Sequence, residues 1–226
     1  MTIFERALEF VTDGMTLGLG TGRAAERFLE LLGSRIRDGL RVRGVATSQA
    51  SAALAAHFGI PLVTLEEGLP LDLTVDGADE VDPQLNVIKG YGRALVREKI
   101  VAAASKRLVL LVGAEKLVPT IGSRGKLPVE VVPFASPFCL QEFKRLGIPG
   151  VLYTVDGRVH LSDNGNHIID CQIGPTADPA ALELAIHRVP GVVDTGLFLN
   201  RADTVLVGAA ETFELQQELH RPTAAN

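Results

Sequence analysis

The stretch Asp76-Gly-Ala-Asp79-Glu80-Val-Asp82 crowds four carboxylates into seven residues, directly after Leu71–Val75, which reads as a strand. In an open parallel sheet, ligands bind beyond the carboxyl ends of the strands, so these acids stand where chemistry is done. Crowded carboxylates repel one another, which favours the protonated form of some and equips the group for proton transfer. Two other uses suit the same residues: acids favoured by the dipole at a helix N-terminus, or a Mg²⁺ site.

A second stretch, Gly18-Leu-Gly20-Thr-Gly22-Arg-Ala-Ala25, lies between a strand and a helical pattern. Glycines there let backbone N–H groups and the positive helix end approach a phosphate. Read from Gly20, it also fits a G-x-G-x-x-A dinucleotide fingerprint, which needs an acid about 20 residues on to hold the ribose. The next strand ends Val45-Ala-Thr47-Ser48 without a carboxylate, so a nicotinamide cofactor is disfavoured. A tight turn whose glycines serve packing alone is the other reading. A third stretch, Ile88-Lys89-Gly90-Tyr91-Gly92-Arg93, is again a glycine-bearing loop at a helix start, with two cations beside it. Two anion-friendly loops suit a phosphorylated substrate better than one. On the helix that follows, at 100° per residue, Glu98 projects between Ala94 and Val101 on one side and Leu95 and Ala102 on the other. A carboxylate in such an apolar sector is partly desolvated and its pKa raised, as a general base needs. The plainer alternative is a surface glutamate, or one paired with Lys99 or with Arg97.

The histidines His57, His160, His167, His187 and His220 show no metal-ligand spacing, and no G-x-S-x-G supports a serine triad. His167, beside the turn Asp163-Asn-Gly-Asn166, reads as structural. Cys139 and Cys171, without a CxxC, read as buried thiols in a reducing compartment.

These groups need a scaffold, and the chain supplies a regular one. Helical patterns over about 3–12, 25–36, 48–57 and 94–104 alternate with apolar strands at 15–20, 42–45, 61–65, 71–75 and 108–112. Strands that are apolar throughout and alternate with helices imply βαβ units and a parallel sheet covered on both faces. Near Lys126 the rhythm changes. A strand over 128–134, a helix over 137–146, a hairpin turning at Asp156-Gly157, strands over 168–173 and 192–198, and a helix capped by Asp178-Pro179 suggest a small α+β domain. The strand at 204–208 and a helix over 211–219 return the chain to the first domain.

With 46% hydrophobic and 22% charged residues, the chain has the composition of an ordinary globular protein. Its net charge of −5, with basic residues spread along the chain, argues against a nucleic-acid partner. Glu5, Arg6 and Glu9 interrupt the first apolar residues, so a secretory signal is not expected, and no uncharged run reaches membrane-span length.

Together these loops resemble the type A ribose-5-phosphate isomerase family. The matching segments are Gly18-Leu-Gly-Thr-Gly22, Ala46-Thr-Ser48, Gly59-Ile-Pro-Leu62, Asp76-Gly-Ala-Asp-Glu80, Ile88-Lys-Gly90 and Ala94-Leu-Val-Arg-Glu-Lys99. Glu115-Lys116, Pro128-Val-Glu-Val131, Pro133-Phe-Ala135 and Asp163-Asn-Gly-Asn166 continue the family's order to about residue 210. The resemblance implies an α/β fold: a Rossmann-like parallel-sheet domain over 1–126 and 203–226, with a smaller, ferredoxin-like α+β domain inserted over 127–202. It implies no metal or organic cofactor, a homo-oligomer (dimer or tetramer), and interconversion of ribose 5-phosphate and ribulose 5-phosphate in the non-oxidative pentose phosphate pathway; the composition adds a cytoplasmic location without nucleic-acid or membrane partners. By position, Glu98 is the base that moves a proton between C2 and C1, and Asp76 assists ring opening and hydroxyl proton transfer. Asp79 and Lys89 polarise and hold the sugar oxygens, with Lys116 also in the site. Substrate contacts extend over Thr21, Gly22, Arg23 and Ala24, over Gly77 and Ala78, and over Gly90, Tyr91 and Gly92.

The chain departs from the family pattern twice. Arg23-Ala24 stands where many members have Ser-Thr, and Tyr91-Gly92-Arg93 where many have glycines. Either Arg23 or Arg93 could replace lost phosphate contacts with charge. Two competing readings are a hexosamine-phosphate deaminase or lactonase on the same broad fold, and a phosphosugar-binding regulatory module. The acids and Glu98 disfavour the regulatory module, because binding an anion requires no base.

Overall fold

A computed structural model describes residues 1–221 of the chain. In chain order its elements are α1 (Ile3–Leu8), β1 (Thr16–Leu19), α2 (Arg23–Arg37), β2 (Arg43–Ala46), α3 (Gln49–His57), α4 (Leu65–Gly68) and β3 (Leu73–Gly77). Next come β4 (Glu80–Val81), β5 (Val87–Ile88), α5 (Leu95–Ala103), β6 (Leu108–Gly113), β7 (Lys126–Val131), α6 (Ser136–Arg145) and β8 (Gly150–Leu152). The remainder are β9 (Thr154–Val155), β10 (Arg158–Val159), β11 (His167–Gln172), α7 (Pro179–His187), β12 (Val192–Thr195), β13 (Leu197–Phe198), β14 (Thr204–Gly208) and β15 (Leu215–His220). They form two compact units, each discontinuous in sequence. One comprises Met1–Ala78, Arg97–Leu117 and the chain from Asn200 on; the other comprises Asp79–Val96 and Val118–Leu199.

The first unit is built on a six-stranded sheet in the order β15-β14-β6-β3-β1-β2, parallel except for β15. Strands β1, β6 and β14 are buried at every position, as the unbroken apolar runs require when helices cover both faces. Leu17, Leu19, Val75, Val109 and Leu206 pack with Ile3 and Phe4 of α1 and with Phe28, Leu29 and Leu32 of α2. A capping box between Thr2 and Glu5 starts α1, but the helix ends at Leu8, earlier than expected.

In the second unit, β7, β8, β11 and β12 make an antiparallel sheet in the order β12-β7-β11-β8. The succession β7-α6-β8-β11-α7-β12 is the split β-α-β-β-α-β arrangement. Leu127, Val129, Val131, Ile169 and Cys171 close its core against Phe143 of α6 and Ile186 of α7. Both cysteines are free and buried, and burial raises both thiols above their usual range. Asp156 and Gly157 take positive φ at the β9–β10 turn, as an Asp-Gly hairpin does. A second, three-stranded sheet has the order β13-β5-β4.

Three expected elements come out differently. Residues 61–65 form no strand; Leu62 makes a single bridge to Gly44, and Thr64 instead caps the short α4. The strand expected over 192–198 breaks at Gly196, where a side chain would collide with the Lys89 carbonyl. The segment 211–219 is not a helix. Its glutamates, leucines and glutamines favour one, but propensity is a weak prior, and the open edge of β14 pairs with residues 215–220 as β15. Phe213, at φ +56°, turns the chain into that strand, and Arg6 of α1 clasps Glu218 through two bonds of 2.9 and 3.2 Å. Among the described residues, no helix is long and apolar enough to cross a membrane.

Candidate active site

In the first unit the predicted residues gather at the carboxyl edge of the parallel sheet. The chain leaves β1 through Gly20-Thr21-Gly22 and enters α2 at Arg23, with Gly22 as N-cap at φ +100°. Three hydroxyls hold this loop from the neighbouring β2–α3 junction. Thr21 Oγ1 lies 2.7, 2.9 and 3.0 Å from the hydroxyls of Thr47, Ser48 and Ser51, and Ser51 donates to the Gly20 carbonyl at 2.6 Å. The sequence reading assigned no role to Thr47, Ser48 or Ser51. Their signal was the position of Thr47-Ser48 at the end of the strand beside β1.

Asp76, near the end of β3, is 1% exposed. Its Oδ1 accepts from the backbone N–H of Thr21 at 3.1 Å and of Gly77 at 2.7 Å. The glycine loop and the acid therefore form one unit, with the loop's N–H group aimed at the carboxylate. Ala24 lies at the same edge: a Cβ built on Gly77 would stand 3.8 Å from the Ala24 Cβ. Lys116 follows β6 on a single 3₁₀ turn, half-buried, also beyond a strand's carboxyl end.

Glu98 is placed by contacts between the residues that end α5 and those that lead into β3. The Ala104 carbonyl, just past the helix, accepts from Leu71 N–H, and Ser105 Oγ sits 2.6 Å from Thr74 Oγ1. One turn back, Val101 packs so closely over Thr74 and Gly18 that a Cβ on Gly18 would meet both. The helix thus runs antiparallel to the strands. The next turn back, a rise of about 4.5 Å, carries Glu98 toward the level of Asp76. Glu98 is 3% exposed, so it is not the surface glutamate of the plainer reading.

In the second unit, Asp79 and Lys89 flank the three-stranded sheet. Asp79 N–H donates to the Ile88 carbonyl, and Asp79 Oδ2 accepts from Tyr91 N–H at 2.9 Å. Lys89 is 2% exposed, its N–H bonded to the Gly196 carbonyl and its ammonium 5.6 Å from the Phe198 ring centroid. Gly90, at φ +101°, has no room for a side chain against Leu95. The Tyr91 hydroxyl donates to the Lys126 carbonyl at 3.2 Å. Burial, followed by the Asp79 charge, pushes this phenol above its usual range and keeps it a donor. Gly92 is exposed.

The four-carboxylate stretch divides its labour. Glu80, fully buried, accepts from the N–H groups of Gly122 and Arg124 at 2.7 and 2.8 Å. Asp82 accepts from Gln84 and Asn86 and closes a turn. Both acids are occupied in building the backbone. The expected anion-binding role for Arg93 also changes, because Arg93 bonds Asp170 at 2.6 and 3.1 Å. Arg23, in contrast, is exposed at the first position of α2. The Asp163–Asn166 turn folds onto Glu130, whose Oε1 accepts from Ser162, Asn164 and Asn166. His167 bonds Ser136, consistent with a structural part.

Sequence spacing showed no metal grouping for the histidines. The fold nevertheless brings His187 together with Glu183 one turn earlier on α7 and Asp194 on β12, their ligand atoms within 4.8 Å of one another. The Asp194 contribution comes from another element, which linear spacing cannot reveal.

Comparison with known proteins gives a consistent result. Residues 43–212 match the family described as ribose 5-phosphate isomerase A (phosphoriboisomerase A). The chain is 51% identical over 207 residues to ribose-5-phosphate isomerase A of Gloeobacter violaceus, covering 91% of this chain and 90% of the relative. It is 47% identical over 223 residues to that of Roseiflexus sp., covering 97% and 94%. Among solved structures, it is similar to ribose 5-phosphate isomerase A from Methanocaldococcus jannaschii, with a TM-score of 0.90, 38% identity and coverage of 97% and 96%. A D-ribose-5-phosphate isomerase in complex with phospho-erythronic acid aligns with a TM-score of 0.91, 36% identity and 96% coverage of both chains.

Proposed function

The chain belongs to the ribose-5-phosphate isomerase A family, and from that premise we propose how its residues carry out the reaction. It is an aldose–ketose isomerase that interconverts D-ribose 5-phosphate and D-ribulose 5-phosphate through an enediol(ate). The relatives favour neither a deaminase nor a regulatory module. One similar structure is a complex with phospho-erythronic acid, a phosphorylated sugar acid whose planar, anionic carboxylate resembles an enediolate in charge and planarity.

Glu98 is the base. It removes the C2 proton from the open-chain aldose while negative charge develops on O1, and returns a proton to C1 as the O2 hydroxyl gives up its own and C2=O forms. Asp76 assists ring opening and moves the hydroxyl protons. Lys89 and Asp79 hold the sugar oxygens, and the lysine's charge offsets the oxyanion. Lys116 contributes a further cation to the substrate. Substrate contacts are assigned to Thr21, Gly22, Arg23 and Ala24, to Gly77 and Ala78, and to Gly90, Tyr91 and Gly92. The observation that carries this reading is the contact between the end of α5 and the residues leading into β3, which sets a buried Glu98 toward the level of Asp76. Arg23, at the positive start of α2, is the cation for the phosphate.

The reaction needs neither metal nor organic cofactor in this proposal. We assign the catalytic domain to residues 1–126 and 203–226 and the insertion to 127–202; of the former, 79–96 and 118–126 pack within the second compact unit, and 222–226 lie outside the described residues. The protein is a cytoplasmic homo-oligomer; for the self-association, Val132, Phe134 and Phe138 are exposed apolar residues close together in sequence, with Phe134 96% exposed. The test is conversion of ribose 5-phosphate to ketose, with and without chelator, in D₂O. Solvent deuterium at the exchanging carbon is expected. Absence of ketose would overturn the activity, and loss on chelation restored by Mg²⁺ or Zn²⁺ would overturn metal independence.

A further inference from the structure

Arg93 holds a left-handed φ of +67°, a conformation that non-glycine residues adopt only when their surroundings impose it. Its guanidinium is firmly held. Two bonds of 2.6 and 3.1 Å join it to the two carboxylate oxygens of Asp170, both side chains nearly buried at 12% and 15% exposure. Its Cζ also lies 3.6 Å from the centroid of the Tyr153 ring. A planar fork paired with a carboxylate and stacked on a ring is fixed in direction as well as distance. Burying such a pair contributes little net stability, because desolvation offsets the attraction; what it supplies is geometry.

That geometry is transmitted to Lys89 and Asp79. Arg93 N–H closes a turn onto the Gly90 carbonyl. Tyr91, inside the turn, bonds Asp79 with its N–H and Lys126 with its hydroxyl, and the Lys126 ammonium sits 3.7 Å from its ring centroid. Lys126 and Asp170 belong to the paired strands β7 and β11, in register Lys126↔Gln172 and Pro128↔Asp170. Two side chains of one turn are thus anchored to one rigid frame.

We propose that Arg93 is a positioning residue for the isomerisation: the Arg93–Asp170–Tyr153 clamp holds the 89–93 turn, and with it Lys89 and Asp79, in working geometry. The proposal rests on the roles given to Lys89 and Asp79 above. Arg93 is therefore no phosphate ligand; both its terminal nitrogens are held by Asp170.

The experiment compares steady-state kinetics on ribose 5-phosphate for the wild type, Arg93→Lys, Arg93→Ala, Asp170→Asn, Asp170→Ala and the double Arg93→Ala/Asp170→Ala, with the folded fraction of each measured by circular dichroism. Each single change is expected to lower kcat by about tenfold or more, since sub-ångström misplacement of catalytic groups is costly, with KM moving less than about threefold. The double change is expected to do no more damage than the worse single. KM rising with kcat kept would make Arg93 a substrate ligand and overturn the proposal. Unchanged kinetics, losses that multiply, or losses equal to the unfolded fraction would overturn it too. An inactive wild type would instead overturn the isomerase reading, so the two failures are distinguishable.

Discussion

Gly20 and Asp76 share one space: a Cβ at residue 20 would stand 2.3 Å from the Asp76 carboxylate oxygen and 2.6 Å from its Cα. The glycine is required there by close approach, because only bare backbone can lie against the acid. Gly20→Ala is expected to push the carboxylate aside, lowering kcat by about tenfold or more and stability by about 1–3 kcal/mol. Kinetics together with urea unfolding checks this; an alanine variant of unchanged kcat would show that Asp76 tolerates displacement.

Glu98→Gln keeps size and hydrogen bonding but cannot accept a proton at neutral pH. Turnover is expected to fall by about 10²–10⁴-fold, with binding of the sugar phosphate largely kept and exchange of the C2 hydrogen lost. Turnover within a few-fold of wild type would transfer the base to Asp76 or Asp79.

Arg23→Ala tests phosphate recognition. KM for ribose 5-phosphate is expected to rise by about tenfold or more, since charged pairs to phosphate are strong, while weak turnover of unphosphorylated ribose is unaffected. Equal effects on the two sugars would remove Arg23 from the phosphate site.

Glu218 makes stability depend on pH through Arg6. Hydrogen bonds from Arg6 hold its carboxyl below the usual range, with burial acting in the opposite sense. A depressed folded pKa gives stability that is present above the unfolded value and lost as pH falls through the folded one. Glu218→Gln should therefore cost about 1 kcal/mol at neutral pH, and the deficit should shrink in acid. Urea titrations at both pH values measure it; a deficit that does not change with pH would mean the pair is not the cause.

Phe134→Asp is expected to lower the mass in solution to that of a monomer while leaving the chain folded. Light scattering reads this directly, and an unchanged oligomer, or a wild type that is already monomeric, would remove the Phe134 patch from any self-association.

The parallel sheet was legible because its central strands are rich in apolar residues and alternate with helices. Asp76 and Glu98 were legible because the first ends such a strand and the second sits in an apolar helical sector. What stayed hidden depends on contacts between distant residues. β15 exists because β14 offers an edge, not because Leu215–His220 favours extension. The engagement of Arg93 depends on Asp170, 77 residues away, and the hydroxyls under Thr21 come from a neighbouring strand and helix. Glu80 and Asp82 looked like site acids because sequence gives their proximity to Asp76 and not the N–H groups of Gly122, Arg124 and Asn86 that claim them.

The placement of β14 has a consequence for biosynthesis. It lies beside β6, and roughly ninety residues separate Gly113 from Thr204. While the ribosome makes that stretch, β6 can join β3 but has nothing on its other side, and this apolar strand edge is the kind that recruits other chains. A transcript truncated before codon 204 should therefore yield insoluble product even though it encodes all the acids and lysines assigned to catalysis. The last strands act as the seal on a sheet that β1 begins.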